Sequence, residues 1–81
     1  MRDDYQKLIL EACYSDLTII DEYSLSVGMF TGEWKKIFKV FRSIYNQGLE
    51  IEPTIMIETS KKIGFDIAVF ASLERYRGNV A

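Results

Sequence analysis

The sequence predicts an all-α domain, a small bundle of about five helices, on three observations. Apolar residues recur with helical spacing over most of the chain. Four of the five glycines fall at or near the ends of those periodic stretches. No run of alternating residues is long enough to make a sheet. At 81 residues there is room for one domain, spanning residues 1–81, around one modest core. The composition favours folding over disorder, with 48% hydrophobic residues, Trp34, five Phe and five Tyr.

The elements follow in order. Tyr5, Leu8, Ile9, Ala12 and Cys13 share one face of a helix from about Asp3 to Tyr14, and Asp3 and Asp4 suit its first turn, where the helix dipole favours anions. Ser15 or Asp16 caps a short second helix carrying Leu17, Ile19 and Ile20, which the Ser24 to Gly28 stretch ends. Met29 and Phe30 are apolar anchors in the connection. The strongest helix has Thr31 as N-cap, Glu33 in its first turn and the stripe Trp34, Ile37, Phe38, Phe41, Ile44, Tyr45, and Gly48 stops it. Glu50 to Pro53 reads as an extended entry, because the residue before proline avoids the α region. Pro53 then opens a fourth helix that ends at Gly64. Ile51 to Ile57 is rich in β-branched residues, which leaves a short strand as the alternative there. A fifth helix starts near Asp66 and stops at Gly78.

The residue types exclude several chemistries. Without histidine the chain lacks the commonest general base and metal ligand, and one cysteine cannot build a structural zinc site, so no metal is expected. Asp3/Asp4 and Asp21/Glu22 are adjacent pairs that diverge around a helix, which suits solvated charges and not a catalytic dyad. No glycine-rich loop leads into Lys-Ser/Thr, so no nucleotide or other cofactor is expected, and the serines have no imidazole to activate them. Cys13 lies among apolar neighbours and reads as a buried, inert thiol in a reducing, cytoplasmic compartment. Acids at the N-terminus stand where a signal peptide needs bases, and no apolar run reaches membrane-spanning length, so neither export nor a membrane is expected. The expected role is therefore non-enzymatic, by binding other macromolecules.

Two features reach beyond the core. Opposite the aromatic stripe of the third helix lie Lys35, Lys36, Lys39 and Arg42, a basic face in a chain of net charge −2. It is either an ordinary solvated face or a docking stripe for phosphate or an acidic protein patch. On the last helix, Ile67, Val69, Phe70, Leu73 and Tyr76 spread wider than a peripheral helix needs, which makes them either a central helix of the bundle or an oligomer interface.

The residue order adds a resemblance. Met29-Phe30, a capped helix with Ile37-Phe38, Phe41 and Ile44-Tyr45, then Gly48, Ile51, Glu52 and Pro53 resemble the N-terminal domain of DnaB-type replicative hexameric DNA helicases. Leu8 to Ala12, Leu17 to Ile20 and Asp21-Glu22-Tyr23 fall where that family has its first two helices, so the likeness runs from about Leu8 to Lys62 and extends toward Leu73. It implies a helical domain that packs against other copies of itself in a collar on the helicase ring and helps recruit primase, with DNA met only through the full-length helicase. The family continues into a long helical hairpin, a linker and a RecA-like motor, whereas here Ile63-Gly64-Phe65 leads to a single further helix. That departure puts the family's dimer contact in doubt. It fits either an excised domain of a bacterial or phage helicase or a free-standing regulator that mimics one. A third expectation, from a different class, is a small DNA-binding protein using the basic helix face.

Overall fold

The computed structural model describes residues 3–64. They form α1 (Asp3–Ser15), α2 (Ile19–Glu22), a 3-10 turn (Val27–Met29), α3 (Gly32–Asn46) and α4 (Pro53–Ile63). The protein is all-helical, with no strand among the described residues, and the fold class read from the sequence holds. The expected fifth helix, from Asp66 to Gly78, lies outside the described residues.

Helix α3 is the centre of the bundle. Ile37, Phe38, Val40, Phe41 and Ile44 are all fully buried on it, and α1, α4 and the 3-10 turn pack around them. Val40 widens the predicted stripe on the side of Ile37 and Ile44. Phe30 stacks on Phe38 with ring centroids 4.6 Å apart, and Tyr14 of α1 meets Phe41 at 5.5 Å and a tilt of 54°. Offset and tilted ring pairs of this kind suit the aromatic quadrupole. Of the two expected anchors in the connection, Phe30 is buried and Met29 is exposed.

Helix α1 buries only part of the expected face: Cys13 is fully buried and Ile9 packs against the core, but the buried side is shifted toward Gln6 and Leu10. Tyr5 and Leu8 are 55% and 60% exposed, and the buried residues are Gln6, Leu10 and Cys13 at i, i+4, i+7. The helix is turned by about one residue, roughly 100° about its axis. The reason is polar. The Thr31 N–H donates to Gln6 Oε1 at 2.8 Å, and Gln6 Nε2 donates to Thr31 Oγ1 at 3.2 Å. Gln6 thereby holds the chain at the start of α3. Thr31 is the N-cap of α3, as expected, extended at φ −133°, but its side chain makes no capping bond to its own helix.

Helix ends are set by local geometry. Asp16 Oδ1 accepts the Thr18 N–H at 3.1 Å and the Thr18 hydroxyl at 2.6 Å and so organises the turn into α2, but the N-cap of that helix is Thr18 and not the expected Ser15 or Asp16. At the end of α3, Leu49 N–H reaches Ile44 O at 3.1 Å and Gly48 N–H reaches Tyr45 O at 3.0 Å, with Gly48 left-handed at φ +72°. This pair of bonds is the Schellman arrangement. Glu52 is extended at φ −137° and Pro53 opens α4, with Met56 N–H on Glu52 O at 2.9 Å. Residues 53 to 57 are thus helical, which removes the strand alternative. Met56, Thr59 and Ser60 form the buried side of α4.

Candidate docking surfaces on the third helix

Lys35, Lys39 and Arg42 stand at i, i+4 and i+7 on α3, a spacing that sets them in one line along the helix. All three are exposed, and no carboxylate among the described residues pairs with them. Lys36 stands beside this line, three residues before Lys39, and is the paired one. Its Nζ lies 3.5 Å from Glu33 Oε1, with both side chains more than half exposed, a surface pair that contributes little. Of the four predicted cations, three therefore stand in line without a described carboxylate partner, and the fourth is paired with Glu33.

Beside the line runs an open groove of about 500 Å³. It is lined by half-buried Val27 from the 3-10 turn and by Lys39, Arg42, Ser43, Asn46 and Gln47 from α3, with the fully buried Phe38 beneath them. Gln47 Nε2 donates to the Ser43 carbonyl at 3.1 Å and to its hydroxyl at 3.2 Å, which holds these two lining side chains together. Asn46 and Gln47 were not among the predicted residues, although Asn46 continues the line one turn past Arg42. Val27 gave no signal, because it lies in a stretch read only as the end of α2. Ile67, Val69, Phe70, Leu73 and Tyr76, the predicted oligomer interface, lie outside the described residues.

A second groove, of about 440 Å³, opens at the C-terminal end of α3. Tyr14, Leu17 and Thr18 line it from α1 and the α1–α2 turn, Tyr45 from α3, and the segment 48–52 closes it with Leu49, Glu50, Ile51 and Glu52. At its edge the Tyr45 hydroxyl donates to Asp21 Oδ2 at 2.7 Å. That bond, followed by desolvation and the negative charges of Asp21 and Asp16, raises the phenol above its ordinary value. The two bonds from Thr18 hold the Asp16 carboxyl below the usual range. Asp21, read from the sequence as a solvated or dipole-favouring acid, is exposed in the first turn of α2 and in addition links α2 to α3. Neither the groove nor this bond was visible in the sequence, since the partners are 24 residues apart.

Cys13 is fully buried, and burial, with the nearby Asp16 charge second, pushes its thiol up to about 11. It is inert as read, because nucleophilic attack needs the thiolate. Among the described residues no group of three or more His, Cys, Asp or Glu is placed to hold a metal ion, and no helix is long and apolar enough to cross a membrane. Comparison with protein-family models, characterised proteins and solved structures finds no match for this chain.

Proposed function

We propose that the chain is a non-catalytic, cytoplasmic protein-interaction domain of a replicative DNA helicase, which docks primase and assembles with other copies of itself. One observation carries the docking part: Lys35, Lys39 and Arg42 form a cationic line, paired by no described carboxylate, beside a groove whose apolar lining is half-buried Val27. Leaving three like charges adjacent on one helix face costs stability in isolation, and an acidic partner removes that cost. Val27 adds apolar contact that a purely electrostatic stripe lacks. The helicase assignment rests on the residue order from Met29 to Pro53. It is supported by the buried Phe30, the Gly48 stop after α3 and the Pro53 start of α4.

Titration calorimetry against the helicase-binding domain of a bacterial primase tests the reading. The expected result is saturable binding that weakens with salt and falls at least ~10-fold in a K35E/K39E/R42E triple variant, since each well-placed residue of such a patch contributes roughly 1–2 kcal/mol. Unchanged affinity in that variant overturns it. Salt-dependent binding to duplex DNA and none to primase would favour the DNA-binding reading.

A further inference from the structure

We propose that the groove at the C-terminal end of α3 binds a basic, apolar peptide segment of a partner protein, one that places a guanidinium or ammonium beside a large aliphatic side chain. The groove lies away from the cationic line and shares no residue with it, so the inference does not rest on the function proposed above.

The walls select for apolar contact. Leu17 and Ile51 are only half-buried, and Leu49 remains 40% exposed where the Schellman turn throws it outward. A volume of about 440 Å³ lies in the range of sites that take a small group of side chains. Tyr14 and Tyr45 add aromatic surface, which attracts cations through the ring quadrupole.

Charge selects the kind of partner. Glu50 and Glu52 stand on the rim, and Asp21 and Asp16 put negative charge at the Tyr45 hydroxyl. Among the described residues no lysine or arginine lines the groove, and the sequence has none from residue 8 to 34 or from 43 to 60, the two segments that supply every described lining residue. A phosphate or nucleic acid would be repelled. A metal ion finds no converging ligand set among the described residues. What fits an apolar slot under carboxylates is a cation carried on an apolar segment, because rim charges fix the register while the slot supplies the contact area.

The test uses the whole chain and three fluorescein-labelled peptides: alternating leucine and arginine, alternating serine and arginine, and alternating leucine and glutamate. The leucine–arginine peptide should bind at least ~10-fold tighter than either of the others and weaken as salt is raised. An E50Q/E52Q variant, which keeps shape and removes charge, should weaken it several-fold. Leu49→Ser should do likewise, with melting temperatures close to that of the parent. Amide shifts on titration should cluster at Leu17, Leu49 and Ile51, and the K35E/K39E/R42E variant should still bind. Equal affinity for all three peptides, or no loss in E50Q/E52Q, overturns the proposal. So do shifts confined to the cationic line. Shifts at Leu17, Leu49 and Ile51 that grow with protein concentration alone would make a second copy the occupant and overturn it too.

Discussion

Gln6 shows how one polar side chain decides the setting of a helix. By apolar periodicity α1 should have buried Tyr5 and Leu8, yet both are exposed while Gln6 is 1% exposed. A buried amide is tolerated only when hydrogen-bonded, and the Thr31 N–H and hydroxyl supply partners 25 residues away. Gln6→Leu keeps the volume but leaves the Thr31 N–H without its acceptor, and should cost about 1–3 kcal/mol in urea denaturation. Gln6→Glu, which can still accept that bond but buries a charge, should recover stability as pH falls and the carboxyl is protonated. A Gln6→Leu variant as stable as the parent would show that packing alone orients α1.

At the scale of elements, the bundle depends on two chain reversals of one kind, built from different residues. After α3 the left-handed position is Gly48. After α2 the same bonds recur, Leu25 N–H to Ile20 O at 2.9 Å and Ser24 N–H to Asp21 O at 3.2 Å, but the left-handed residue is Ser24 at φ +50°. A residue with a Cβ loses about 1 kcal/mol there. Ser24→Gly should therefore raise stability by about 0.5–1 kcal/mol, and Gly48→Ala should lower it by about 1 kcal/mol or more, both read from denaturation midpoints. The setting of α1 gives a second comparison. Leu10→Ala should cost about 2–5 kcal/mol and Leu8→Ala no more than about 0.5 kcal/mol, the reverse of what its apolar stripe alone implies. These cases mark what a sequence makes legible. Gly48, Pro53, Gly64 and the stripe of α3 are local signals, since backbone geometry and a 3.6-residue period act within a few residues. The seat of Gln6, the Tyr45–Asp21 bond and both grooves join residues far apart in sequence. Of the candidate site, the line of Lys35, Lys39 and Arg42 could be read because it lies on one helix; the groove beside it could not, because Val27 arrives from another element.

The whole molecule responds to pH through groups that the fold displaces from their ordinary values. Cys13 ionises at 9.0 when free and only at about 11 when folded, since burial disfavours the thiolate. Between those values the unfolded chain loses the proton and the folded one keeps it, so the native state binds more protons and stability must fall as pH rises. The full effect is roughly 2–3 kcal/mol at 1.36 kcal/mol per pH unit of displacement, a large fraction of the ~4–12 kcal/mol expected for a chain of this length. Tyr45, raised by its bond to Asp21, adds to the fall with the same sign, but its exposure to solvent makes it the smaller contributor. Asp16 acts at the other end of the scale. Its carboxyl is held low by Thr18, so its contribution is present at neutral pH and is lost as acid protonates it. Urea denaturation at pH 8 and again near pH 11 should show the alkaline loss. Cys13→Ala should start less stable, because it leaves a small cavity, yet lose much less between the two pH values. An equally steep fall in Cys13→Ala would mean that the thiol does not carry the effect.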